Sequence, residues 1–399
     1  MRIYKKNNVC EEAYLRISRL FDEFDNVVIG ISGGKDSSVV YEIALRVATE
    51  KKRLPINVMW LDQEAEWQGT VDTVSKIMSS PNVNPFWLQI PIELTNNANS
   101  TDRYSYAWHE DNAEDWIHPH VEISIKENVY GTNRFHDIFE AFIRYHFPNE
   151  KACYIAGMRA EESPMRLLAL TQQLTYKDIT WGKRLDKKQE HYTFYPIYDW
   201  SYTDVWKYLH SNNVEYNRVY DAMYQQGVNV KDMRISNLHH ETAIQNLMLV
   251  QEIEPKTWNR ISKRIKGANT IKQLRANSFK CPKNIPYMFS SWRDYAYFLA
   301  EKIAGQSEYY EKLINRIQKY EKIYDGDNIK DVFYRKVIDT ILASDFDFTK
   351  LHGWTTYGSG FSYKRFKQGK YMRQMLVDRK YFTDDELQIL LEGIKNDEK

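Results

Sequence analysis

The hexapeptide Ser32-Gly33-Gly34-Lys35-Asp36-Ser37 places two glycines, a lysine, a carboxylate and two hydroxyls in direct succession. It follows Asn26-Val27-Val28-Ile29-Gly30-Ile31, an apolar run suited to a buried strand. It precedes residues 38–47, whose apolar positions recur at helical spacing. Strand, Gly-rich turn and helix together leave unpaired backbone N–H groups, and the positive end of a helix dipole, facing one point. Glycines let a ligand approach the backbone closely. Lys35 adds a positive charge, and the Ser32 and Ser37 hydroxyls can donate hydrogen bonds. Such a site suits a phosphate or pyrophosphate. The pattern is neither G-x-x-x-x-G-K-[ST] nor G-x-G-x-x-G.

Further candidates stand at the ends of other expected strands. Asp62, Glu64 and Glu66 follow the run Ile56 to Leu61. At the carboxyl end of a strand in an open parallel sheet, Asp62 and Glu64 would hold Mg²⁺ or contact nucleotide hydroxyls. The alternative is that they cap the next helix, expected over 67–78. Arg159 and Arg166 follow a strand expected over 152–158. They would clamp a phosphate or sulfate, or else form ion pairs with Glu161 and Glu162. Ser163 and Pro164 read as the N-cap and first residue of the following helix.

The elements that must position these groups alternate strand and helix. An amphipathic helix is expected over 9–24 and a third strand over 86–92, then a long stretch from about 95 to 133. A loop of that length is a functional insertion or a lid. It holds His109, His118 and His120, and His118-Pro119-His120 is a candidate metal pair with no framing carboxylate pattern. A helix over 136–147 and a strand over 191–197 follow, then a helix capped by Ser201, with Asp204 completing a capping box. The C-terminal part reads as helices over 243–250, 257–266 and 291–324. Residues 350–380 contain eight Lys or Arg against one Asp, interleaved with aromatics, a composition suited to nucleic acid or to an acidic partner surface. The expected division is a nucleotide-binding domain over 1–235 and a mainly helical one over 236–399.

Composition narrows the function classes. The chain has 399 residues, 43% hydrophobic and 27% charged, as expected of a globular protein with a real core. A net charge of +1 excludes global electrostatic capture of nucleic acid and leaves only local patches. No apolar run reaches a membrane span, and Met1 to Lys6 lacks a signal-type stretch, so the cytoplasm is the expected compartment. Cys10, Cys153 and Cys281 form no pair spacing, so neither a disulfide scaffold nor a cysteine metal site is indicated.

The order of motifs is informative. S-G-G-K-D-S is followed by Asp62-x-Glu64, by G-M-R-x-E-E-S over 157–163, and by Y-P-I-Y-D-W-S-x-x-D-V-W-x-Y-L over 195–209. Asn217-Arg218-Val219-Tyr220-Asp221-Ala222-Met223-Tyr224 comes next. This series resembles the PAPS reductase/ATP sulfurylase branch of the adenine-nucleotide α-hydrolase superfamily, over about residues 20–235, and the hexapeptide resembles its PP-loop. The resemblance implies an α/β fold with a doubly wound, mostly parallel sheet that binds ATP or a related adenine nucleotide, PAPS included. It implies Ser32, Gly33, Gly34, Lys35, Asp36 and Ser37 as binders of pyrophosphate or phosphosulfate, with Asp62, Gly157 and Arg159 as neighbours of the nucleotide. Lys35, Asp36, Asp62 and Arg159 would carry the chemistry, with Mg²⁺ on Asp36 and Asp62 and further contacts from Glu64 and Arg166.

The departures from that pattern matter too. Met233-Arg234-Ile235-Ser236-Asn237-Leu238 stands where the family often reads G-C-x-x-C-T, and no cysteine follows Cys281. No iron–sulfur cluster is therefore expected, and PAPS reduction by a C-terminal cysteine is disfavoured. The chain more closely resembles a PAPS reductase-like subgroup with an added C-terminal region, the DUF3440 type. That subgroup includes the immunoglobulin-binding regulator A proteins of enterobacteria, which act with a ParB-like partner. The leading expectation is cleavage of ATP at the α-phosphate to AMP and pyrophosphate, with adenylation of an acceptor. The alternative is a nucleotide-binding regulator that engages a ParB-like protein, or nucleic acid through 350–380.

Overall fold

Val27 and Ile29 pack into one hydrophobic cluster and Val28 into another. The same alternation separates Val58 and Trp60 from Met59 and Leu61, and Cys153 and Ile155 from Ala152 and Tyr154. A strand sends successive side chains to opposite faces. These runs are apolar throughout because both faces of their sheet are covered. Each Val, Leu or Ile so buried contributes about 1.5–3 kcal/mol.

The computed structural model describes residues 6–95, 104–186, 188–235, 238, 244–265, 281–305, 308–323, 330–342, 345, 348, 351, 387–388 and 391–392. The main sheet has six strands: β1 (Asn26–Gly30), β2 (Ile56–Leu61), β3 (Val83–Leu88), β6 (Ala152–Ile155), β7 (Gly182–Arg184) and β8 (His191–Phe194). Their order is β3-β2-β1-β6-β8-β7, parallel except for β7, which runs antiparallel to β8. A small antiparallel pair, β4 (Ile92–Thr95) and β5 (Tyr104–Ala107), stands apart. The chain winds outward from β1 to β3 and then restarts at β6 on the other side of β1. The crevice at the carboxyl ends of β1 and β6 is thus the topological switch point of a doubly wound α/β sheet.

Helices α1 (Val9–Glu23), α2 (Lys35–Glu50), α3 (Gln68–Met78) and α6 (Tyr202–Ser211) pack on one face, through residues such as Ile17, Leu20, Val40, Ile43, Val74 and Val205. The opposite face is covered by α4 (Phe135–His146) through Ile138, Phe142 and Ile143, together with Trp108. Asn8 caps α1 and Ser201 caps α6, both as capping boxes. The remaining helices of this part are α5 (Pro164–Thr171), α7 (Val219–Gln225), α8 (Ile244–Ile253) and α9 (Pro255–Arg264).

Several expected boundaries move, each for a tertiary reason. The third strand starts at Val83 and takes in Pro85, which a strand at the edge of a sheet tolerates because the missing N–H faces outward. It ends at Leu88 because the Gln89 N–H turns to the Ile125 carbonyl. The stretch after it is packed rather than open over its described part. Trp108, Ile117 and His118 are buried, and Ile125 bridges to Leu88 at the sheet edge.

By internal contacts the chain falls into two units, and the described residues up to 265 belong to the first. That unit therefore extends past the expected boundary at 235 to include α8 and α9. One reason is Glu254, whose carboxylate accepts the N–H groups of Gln68 (2.7 Å) and Gly69 (3.0 Å). These are orphan donors at the start of α3, whose N-cap residue, Trp67, makes no side-chain cap bond.

The second unit, described from 281 onward, is helical: α10 (Trp292–Leu299), α11 (Glu308–Ile323) and α12 (Lys330–Leu342). Its core includes Trp292, Leu299, Leu313, Ile317, Phe333 and Val337. Glu321 ties it together by accepting from Arg293 (2.8 Å), Tyr297 (3.2 Å) and Tyr334 (2.5 Å). The single helix expected over 291–324 is interrupted. It widens into a π turn over Ala300–Ala304 that closes at Gly305, a poor helix former. The basic segment 350–380 lies outside the described residues, apart from Leu351. No helix among the described residues is long and apolar enough to cross a membrane.

Loss of the remote cap on α3 gives a stability test. Glu254→Ala should lower stability by about 1–2 kcal/mol in urea denaturation of the full chain. Glu254→Gln should fall between, because its amide oxygen still accepts one of the two N–H groups.

Candidate functional site

Gly33 has φ +65°, and a Cβ there would lie 2.7 Å from Thr70 Cγ2. A side chain is therefore excluded by both conformation and space. Gly157, just past β6, runs against the start of α2: a Cβ on it would sit 2.9 Å from the Asp36 carbonyl carbon and 3.0 Å from Ser37 N. The two glycines let the PP-loop lie flat between the ends of β1 and β6.

Most polar groups of the loop are tied down from within. Ser37 Oγ accepts the Ser32 N–H at 3.1 Å and donates to the Gly34 carbonyl at 2.9 Å. Ser32 Oγ lies 3.1 Å from Ser37 Oγ. Ser37 thus shapes the loop. Asn217 Nδ2 donates to the Gly33 carbonyl (3.4 Å) and to Thr70 Oγ1 (3.0 Å), and the Lys35 N–H donates to the Tyr220 hydroxyl at 3.2 Å. The N–H groups of Gly33, Gly34, Asp36 and Ser37 pair with no acceptor among the described residues. They converge at the N-terminus of α2, where the helix dipole is positive.

Cations surround these amides. Lys35 is 5% exposed, and its ammonium lies 3.2 Å from Asp36 Oδ2, 3.5 Å from the Met233 carbonyl and 5.3 Å from the centre of the Tyr220 ring. Burial holds Lys35 below the ordinary lysine range against the pull of Asp36, with Arg159 and Arg234 adding to the depression. Arg159, also 5% exposed, donates from Nε to Asp36 Oδ1 (2.5 Å) and from Nη1 to Glu161 Oε2 (2.9 Å) and the Trp200 carbonyl (3.4 Å). Glu161 also accepts the Tyr202 N–H at the start of α6 (2.7 Å), so the Asp199-Trp200-Ser201 element orients Arg159 through it. Arg166 pairs with Glu162 on the first turns of α5, where Ser163 is the N-cap as expected. Both arginines therefore make the ion pairs that were the alternative to ligand contact. Arg159 Nη2 has no partner among the described residues and faces no competing contact there.

The acidic residues after β2 are enclosed by donors from distant segments. Asp62 is fully buried. It accepts the Glu64 N–H (2.9 Å) on one oxygen, and Trp87 Nε1 (2.9 Å) and Gln89 Nε2 (3.1 Å) on the other. His118 Nε2 lies 3.3 Å from Asp62 Oδ1, an ion-pair distance without hydrogen-bond alignment. Burial disfavours a charged His118, yet Asp62 outweighs it and holds the imidazole above its ordinary range. Glu64, 1% exposed at φ +68°, receives Arg264 of α9 on both oxygens (2.8 and 3.0 Å) and the Trp108 N–H (3.0 Å). Neither carboxylate caps α3, whose first amides go to Glu254. His120 packs at a tilt against Trp108 and Trp116, with ring centres 4.8 and 4.3 Å away. Among the described residues no group of three or more His, Cys, Asp or Glu side chains is placed to hold a metal ion.

Tyr220 and Asn217 stand in the motif segment 217–224, and Met233 just after it, but the sequence assigned none of them a role in building the loop. Arg264 and Glu254 carried no signal, because their partners lie about two hundred residues away in sequence.

The model of the phosphoadenosine phosphosulfate reductase domain matches residues 26–226, and that of a domain of unknown function, DUF3440, matches 227–367. The uncharacterized protein YbdN of Escherichia coli (strain K12) is 25% identical over 374 residues, covering 87% of this chain and 91% of that protein. An adenosine 5'-phosphosulfate reductase of Anoxybacillus flavithermus is 34% identical over 74 residues, 18% of this chain and 27% of that one. Among solved structures, FMN adenylyltransferase of Candida glabrata with FMN and an ATP analogue aligns at TM-score 0.33 and 14% identity. That alignment covers 55% of this chain and 64% of the other, so the chain spans less than two thirds of it.

Glu66 gives a pH test. It is 4% exposed, and burial, reinforced by Asp62, raises its carboxyl well above the ordinary 4.5. A raised folded-state value means that stability is fully present below the unfolded value and falls as pH rises through the folded one. Glu66→Gln should therefore match the wild type in urea denaturation at pH 4 and exceed it at pH 8.

Proposed function

Because the chain belongs to the phosphoadenosine phosphosulfate reductase domain family, we propose that it binds ATP or a related adenine nucleotide on its PP-loop and cleaves it at the α-phosphate. The products would be pyrophosphate and an adenylated acceptor, or AMP where water is the acceptor. The observation that carries this reading is the set of unpartnered amides of Gly33, Gly34, Asp36 and Ser37 at the start of α2, flanked by the Lys35 ammonium and Arg159 Nη2.

In the proposed step an acceptor oxygen attacks the α-phosphorus and the bond to the α–β bridging oxygen breaks. The electron pair leaves with pyrophosphate, and the acceptor's proton passes to solvent. Negative charge grows on the departing pyrophosphate, where the loop amides and Lys35 stabilise it without having to reorganise. A lysine depressed by burial is strengthened as a charged partner once an anion enters. Arg159 balances charge nearer the nucleoside and is held in place by Glu161 and Trp200.

Mg²⁺ typically keeps one or two carboxylates and takes substrate phosphates as its other ligands. Asp36, with its carboxylate 19% exposed beside Lys35 and Arg159, fits that role, and the fully buried Asp62 does not. The ion would supply charge neutralisation on the polyphosphate.

The test uses the full chain with Mg²⁺ and α-labelled ATP. AMP and pyrophosphate should form, and Lys35→Ala should cut the rate by about 100-fold or more. ADP and phosphate as products would overturn the reading. ATP binding without any turnover would instead favour a regulator acting with a ParB-like partner.

A further inference from the structure

In the second unit, Arg335 of α12 is only 8% exposed. Its Nη1 donates to the Lys283 carbonyl at 3.2 Å, and its guanidinium carbon lies 4.8 Å from the centre of the Trp292 ring on α10. Nε is sealed from water and has no hydrogen-bond partner. Nη2 makes no hydrogen bond among the described residues either, and it is not sealed in. One whole edge of the guanidinium is therefore unused.

The surroundings do not supply the missing anion. Asp331 and Asp339 stand one turn before and one turn after Arg335 on the same helix, the spacing at which ion pairs form. Neither makes one with it. Asp339 accepts the Cys281 N–H at 2.6 Å, and burial holds Asp331 above the ordinary carboxylate range against the pull of Arg335. The fold pairs its other guanidiniums: Arg159, at 5% exposure, meets Asp36 and Glu161, and the more exposed Arg293 meets Glu321 at 2.8 Å. A buried charge without a counter-ion is costly. The Trp292 face offsets part of that cost, but the Nε–Nη2 edge keeps the geometry that matches two oxygens of one carboxylate or phosphate.

We propose that Arg335 anchors an anion site in the second unit, where an oxyanion group, phosphate or carboxylate, binds along the Nε–Nη2 edge and enters at Nη2. Trp292 and the Lys283 carbonyl hold the guanidinium in place for it. This site is independent of the nucleotide reading of the first unit.

The test is an NMR titration of the full chain carrying isotope-labelled arginine, with sodium phosphate, sodium acetate and sodium chloride at matched ionic strength. It follows the Nε–H resonance that Arg335→Lys removes. Should that variant not fold, Trp292→Phe identifies the same resonance by moving it through the changed ring. The resonance should shift saturably with phosphate or with acetate and not with chloride, and the anion that saturates it identifies the ligand group. In a Lys35→Ala background, which removes the buried lysine of the PP-loop, that anion should still raise the melting temperature. Adding Arg335→Lys should weaken this effect about tenfold. No saturable shift with either oxyanion, or an equal shift with chloride, would overturn the site. So would stabilisation that Arg335→Lys leaves unchanged.

Discussion

A helix end that is to bind an anion must keep its amides unpaired inside a folded protein, and this structure is arranged around that deficit. Buried N–H groups without partners are costly, so the rest of the loop is satisfied locally. Ser37 closes the turn on Ser32 and Gly34, Asn217 holds the Gly33 carbonyl, and Tyr220 takes the Lys35 amide. What is left unpaired is confined to one concave patch. The absence of a side chain at Gly33 and Gly157 is what lets the loop pack so closely, because a methyl group at Gly33 would meet Thr70 of α3 and one at Gly157 would meet the first backbone atoms of α2.

Charge follows the same logic. Lys35 and Arg159 are nearly inaccessible to water, and each has a carboxylate close at hand, Asp36 for both and Glu161 for Arg159. Buried ion pairs of this kind contribute little net stability, since desolvation offsets the attraction, but they define position. Arg159 shows the benefit: a main-chain carbonyl and two carboxylates, one of them held by an α6 backbone amide, fix its guanidinium. The buried pair of Glu64 and Arg264 works likewise on the other side of β1, where it locks α9 and Trp108 over the end of β2. The first helices of the region matching the domain of unknown function are in this way part of the sheet unit.

The strand–loop–helix around Ser32 to Ser37 was legible because its local chemistry and its tertiary role coincide. The apolar runs of β1, β2 and β6 needed only their period and length, and the Ser163 and Ser201 caps needed only residue type and offset. The partners of Asp62 and Glu64 were not legible, for the opposite reason. A carboxylate after a strand looks the same in sequence whether it faces the crevice or turns back into the core. Here Trp87, Gln89, His118 and Arg264, all distant in sequence, decide that it turns back.

The sequence by itself determined the parallel α/β class, the position of the glycine-rich turn and the order of the motifs around it. These follow from periodicity, glycine placement and residue chemistry within a few positions of one another. The tertiary structure alone decided which charged groups are spent on one another and which remain for a ligand. It also decided that Glu254 caps a helix from across the unit, and that Tyr220 and Met233 close over the loop. Those outcomes depend on which segments the sheet order brings side by side, and no local pattern encodes a contact between residues so far apart along the chain.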